Sequence, residues 1–132
     1  MYYSVTTADL KGGTVCFEHG SGMHTSLVVP DTITYEGRTY KVTMFDYAGT
    51  EVTTVTLGKN IEYINQTAFQ FSDKLKSITI NSKLLKSGNV EYGAFDKVPD
   101  SCVITVPKKK LKGYKKIFKA AGLSSKVKIK GK

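Results

Sequence analysis

The chain has 132 residues, enough for one modest core, and its 40% apolar and 23% charged residues place it among globular rather than disordered sequences. The net charge of +9 is uneven: residues 108–132 carry eleven lysines and no acid, whereas residues 1–107 carry nine Lys/Arg against eleven Asp/Glu. No apolar run approaches the roughly eighteen residues of a membrane-crossing helix, and the start, MYYSVTTADL, lacks the basic flank and apolar run of a signal peptide.

Thr, Val and Ile recur along the chain, which favours strands. Gly12–Gly13 is expected to form a hairpin turn. GTVCFEHGSGMHTSLVVP, residues 13–30, reads as two strands around a turn at Gly20–Ser21–Gly22. TITYEGRTYKVTMF, residues 32–45, reads as a second hairpin turning at Glu36–Gly37. Cys16 and Cys102 lie near opposite ends and are expected to be buried free thiols rather than a bridge.

A repeat dominates the middle. VTTVTL at 52–57 aligns with LKSITI at 75–80, so Val52, Val55 and Leu57 fall over Leu75, Ile78 and Ile80 with a period of 23 residues. CVITVP at 102–107 follows 26 residues on, and TSLVVP at 25–30 lies upstream with Leu27 and Val29 in the same places. Strand side chains alternate between faces, so the stacked copies bury a ladder of Leu27/Val29, Val55/Leu57, Ile78/Ile80 and Ile104/Val106. Thr54, Thr56, Ser77, Thr79, Val103 and Thr105 then point to the opposite, solvent-facing side. Pro30, Gly58 and Pro107 stop the strands.

The second half of each copy makes the other wall. Ile61 and Ile64 precede Ala68–Phe69, and Leu85 and Val90 precede Ala94–Phe95, with Gly88–Asn89 as the extra residues of the later copy. VTMFDYAGT at 42–50 is a degenerate version in which Ala48 is kept and the phenylalanine is lost. At the back, the spacing of Leu111, Tyr114, Ile117, Phe118 and Ala121 predicts a packed helix from near Pro107 to Gly122. SKVKIKGK then alternates Val127 and Ile129 with lysines, as a short edge strand does.

The pattern L-x-x-I-x-I-P/G, then V/I-x-x-I, then A-F resembles the BspA-type leucine-rich repeats of bacterial surface proteins. TSLVVPDTITYEGRTYKVTMF is similar to that family's lead-in module, and ITVPKKKLKGYKKIFKAAGLSSKVKIK to its C-terminal cap, so the resemblance spans roughly residues 13–130. It implies a β-rich, short right-handed solenoid with an N-terminal β-hairpin cap and a C-terminal helix-plus-strand cap. One domain is expected over 1–132, with a lead-in at 13–50, repeats at 51–106 and a lysine-rich cap at 107–132. The resemblance further implies a secreted or surface-attached protein that binds without catalysis. The starting methionine and complete lead-in favour a self-sufficient chain.

Catalysis needs a nucleophile, a base and an orienting group, or a metal. Cys16, His19 and His24 supply three metal-ligand types at C-x2-H-x4-H without a fourth at a zinc spacing, so turn histidines and a packed cysteine are the expectation. The glycine pairs lack the Lys and Ser/Thr of a phosphate loop. Asp96 and Asp100 read as surface carboxylates, and Asn65–Gln66–Thr67 as a loop. No cofactor, metal or active site is expected.

Binding to a protein or cell-surface macromolecule is expected through Thr54, Thr56, Ser77, Thr79 and Thr105, by a monomer without membrane insertion. Short hydroxyl side chains on a rigid sheet lose little entropy on contact. A rival reading is a polyanion site for nucleic acid or a wall polymer at Lys108, Lys109, Lys112, Lys115, Lys116 and Lys119. Against it stand the absence of arginine in the cap and of an exposed aromatic platform beside it, which make a solvated helix face the simpler expectation. A structural role as the end module of a longer extracellular protein is a further alternative.

Overall fold

The computed structural model describes residues 2–8, 12–19 and 25–132, and places them in two five-stranded sheets and one short helix. Strands β1 (Tyr2–Ala8), β2 (Gly12–His19), β4 (Thr32–Tyr35), β5 (Arg38–Phe45) and β7 (Tyr63–Ile64) form one sheet. Strands β3 (Ser26–Val29), β6 (Thr54–Leu57), β8 (Ser77–Ile80), β9 (Val103–Val106) and β10 (Lys128–Gly131) form the other. Helix α1 (Leu111–Ala120) follows a 3-10 turn at Lys108–Lys110.

The second sheet is the repeat made visible. Its order is β3-β6-β8-β9-β10, all parallel, and the register pairs Leu27 with Val55, Val55 with Ile78, Ile78 with Ile104 and Ile104 with Ile129. The three central strands, β6, β8 and β9, alternate a half-buried with a fully buried residue, as the two-residue period requires. Strands end at Val29, Leu57 and Val106, immediately before Pro30, Gly58 and Pro107.

The opposite wall is held by a few backbone bonds between successive copies. Asn65 N–H donates to Phe45 C=O at 3.0 Å, Glu91 N–H to Ile64 C=O at 3.0 Å, and Phe69 N–H to Ala94 C=O at 3.2 Å. At the corner a phenylalanine column runs through the core. Phe17, Phe45, Phe69, Phe95 and Phe118 follow one another at centroid spacings of 5.6, 5.6, 5.5 and 5.0 Å. The first corner has not lost its aromatic, contrary to the expectation for VTMFDYAGT. Phe45, at the end of β5, fills it, because a bulge in the β2–β5 pairing turns Phe45 inward beside Phe17.

Two further expectations at the front are corrected. The strands flanking Gly20–Ser21–Gly22 are not partners: β2 pairs with β1 and β5 in one sheet, and β3 pairs with β6 in the other. The turn residues themselves lie outside the described residues. The hairpin partner of β2 is β1, in a stretch whose polar alternation gives little strand signal. Gly12–Gly13 is not the turn of that hairpin but the start of β2. The β4–β5 hairpin does turn at Glu36–Gly37, with φ of +50° and +76°, the doubly positive pattern of a type I′ turn.

The back end follows the predicted stripe. Tyr114, Phe118 and Ala121 are buried, and Leu111 and Ile117 pack at the edge of the core. Tyr114 anchors α1: its hydroxyl donates to Ser82 C=O at 2.8 Å and accepts from Leu85 N–H at 3.2 Å. Gly122 ends the helix at φ +95°, and β10 closes the sheet edge with Lys128 and Lys130 exposed.

Candidate binding surfaces

The parallel register puts the hydroxyl residues in two columns on the outer face of the repeat sheet. Ser26, Thr54, Ser77, Val103 and Lys128 form one, and Val28, Thr56, Thr79, Thr105 and Lys130 the other. Thr54, Thr56, Ser77, Thr79 and Thr105 are half-buried, shaded by neighbours only 4.8 Å or so away. Thr54 hydrogen-bonds sideways to Ser26 at 3.0 Å, while the other four hydroxyls bond no described group of the chain. Three residues outside the expected set bound the face: Val28, 56% exposed, at one edge and Lys128 and Lys130 at the other. Five strands about 4.8 Å apart and four residues of about 3.3 Å give a face of roughly 250 Å².

The lysine cap divides into flanks of α1. Lys115 and Lys119 lie on the flank that faces the segment entering β10, where with Lys128 they rim a groove of about 500 Å³ floored by Leu123, Val127 and Ile129. Ser124 and Ser125 close its end. Lys108 sits behind Gly131, and Lys109, Lys112 and Lys116, all exposed, do not line the groove. Of the eleven lysines in the cap, Lys126 alone meets a carboxylate among the described residues, Asp100 at 4.0 Å. Lys132 reaches the Asn81 side chain. An exposed aromatic does stand beside the cap, against expectation: Tyr92, 78% exposed, packs its ring next to Gly122.

Of the other residues singled out in the sequence, Cys16 and Cys102 are free and buried, and burial pushes both thiols up to about 11. His19 stacks on Tyr2 at 4.4 Å, and His24 lies outside the described residues. Among the described residues no group of three His, Cys, Asp or Glu is placed to hold a metal. The Asn65 side chain donates to Asp46 at 2.5 Å and Thr67 donates to the Asp46 carbonyl at 2.9 Å, so that loop is tied to the preceding copy. A second hollow, of about 580 Å³ and lined by Tyr2, Tyr3, Tyr35, Tyr40 and Arg38 among others, opens at the front end between β1 and the β4–β5 hairpin. Nothing in the sequence flagged it, because it depends on how β1 sits against the β4–β5 hairpin, which only the sheet pairing fixes. No helix among the described residues is long and apolar enough to cross a membrane.

Residues 40–132 match the family model described as BspA type leucine rich repeat region (6 copies). The chain belongs to the BspA-type leucine-rich repeat family. No curated protein and no solved structure matches it.

Proposed function

We propose that this chain is a non-catalytic binding module, one domain over 1–132 folded as a short right-handed solenoid, that engages a protein at a cell surface through its Ser/Thr face. The lead-in at 13–50, the repeats at 51–106 and the cap at 107–132 are its three parts, and secretion or surface attachment fits the family. The observation that carries the reading is the unbroken register from Ser26 to Lys128, which presents Thr56, Ser77, Thr79 and Thr105 on a rigid support with hydroxyls that bond no described group of the chain. Groups already fixed by a sheet lose little freedom on binding.

The size of that face sets a limit. Roughly 250 Å² is well short of the ~800 Å² that each partner contributes to a standard interface. A protein partner therefore also covers neighbouring ground, and within the face Val28 offers it an exposed apolar contact. The test is binding of the labelled chain to intact cells by flow cytometry, with and without protease treatment of the cells. Thr56→Arg/Thr79→Arg is expected to weaken protease-sensitive binding about tenfold, as bulky cations in the centre of an interface do. Unchanged binding by that variant would remove the face from the contact surface.

A further inference from the structure

The geometry points to a second site: the groove between α1 and β10 binds a linear acidic polysaccharide, with sulfate or carboxylate groups on Lys115, Lys119 and Lys128. The first argument is charge. Eleven cap lysines meet a single carboxylate among the described residues, and three of the others, from the consecutive elements α1 and β10, line one groove. A helix face that is merely solvated needs no such convergence; Lys128 joins only because β10 folds back beside β9.

The second argument is the floor. Val127 and Ile129 give the groove an apolar base, and Ser125 a hydroxyl at its end. A sugar ring offers matching surfaces, an apolar C–H face and a rim of hydroxyls, with its acidic groups carried at the edge. Duplex or single-stranded nucleic acid fits less well. The cap has no arginine for bidentate phosphate contacts, and the exposed ring near it, Tyr92, is one aromatic rather than a row for stacked bases. The third argument is continuity. Lys128 and Lys130 sit in the columns of the Ser/Thr face, so a chain leaving the groove passes onto the hydroxyls of Thr105 and Thr79. A narrow polymer uses such a strip without needing the area a protein does. The groove stands whether or not that face also binds a protein.

The experiment is calorimetric titration with a size-defined heparin oligosaccharide across a salt series, with neutral dextran and duplex DNA of matched length as comparators. Two variants carry the same change in net charge: Lys115→Glu/Lys119→Glu/Lys128→Glu in the groove, and Lys109→Glu/Lys112→Glu/Lys116→Glu outside its lining. Loss of three contacts is expected to weaken heparin binding about thirtyfold or more in the groove variant. The variant outside the lining should change it by about threefold, the long-range part that salt screens. Ser125→Glu, on an exposed loop, adds a carboxylate among the three lysines without removing any, and should cost about tenfold. Absence of heparin binding, equal loss in both triple variants, no effect of Ser125→Glu, or DNA binding as tight as heparin would each overturn the proposal.

Discussion

Gly12 and Gly13 sit where neighbouring backbones leave no room for a side chain. A Cβ on Gly12 would stand 1.7 Å from the Thr39 carbonyl oxygen, and one on Gly13 2.0 Å from that of Thr7. Both residues also hold φ near +150°, a region that other L-residues rarely adopt. The two constraints act together, so Gly13→Ala cannot relax by a small side-chain shift. We expect it to lower the stability measured by urea unfolding by at least about 2 kcal/mol, through separation of β1 from β2. Adjacent Gly residues were visible in the sequence, but a turn and a close approach make the same demand on composition. Only the pairing partners of β2 distinguish them.

Elements are joined by the phenylalanine column and by the hydrogen bonds that cross from copy to copy. Phe69 stands in the middle, between Phe45 and Phe95, with no exposed surface. Replacing it with Ala leaves a cavity bounded by two rings that the backbone bonds of the corner hold in place. Phe69→Ala is therefore expected to cost about 3–5 kcal/mol in chemical denaturation. Phe71→Ala, two residues on and 57% exposed, should cost less than about 0.5 kcal/mol in the same assay. The A-F pair marked Phe69 and Phe95 in the sequence. Phe17, Phe45 and Phe118 join the same column without the preceding alanine, from β2, β5 and α1, so their membership follows from register alone.

Across the whole molecule, ionisation couples the two sheets to one stability. Burial raises Cys16, helped by Asp46 and Glu18, and Cys102 to about 11 from an ordinary value of 9.0. A thiol held protonated by the fold binds a proton that the unfolded chain has released, so stability is complete below pH 9 and declines towards pH 11. Tyr3 and Tyr114, raised by burial, and Tyr63, raised chiefly by its hydrogen bond to Glu91, add the same sign above their ordinary 10.0. The melting temperature should fall between pH 9 and 11, and Cys16→Ala/Cys102→Ala should flatten the first part of that decline. A melting temperature that holds steady across this range would contradict it.

Local periodicity was enough to determine the repeat strands, the hairpin at Glu36–Gly37, the apolar stripe of α1 and the family, because each depends on residues within a few positions of one another. The same alternation puts Thr54, Thr56, Ser77, Thr79 and Thr105 on the outer face. Tertiary structure alone decided that β1 and β2 form the front hairpin, that β2 and β3 belong to different sheets, and that Phe45 completes the column. It also decided that Lys128 lines the same groove as Lys115 and Lys119, because β10 pairs with β9. The β2–β5, β3–β6 and β9–β10 pairings join segments well separated along the chain, and their strength comes from shared burial and matched backbone bonds that no local pattern of side chains contains.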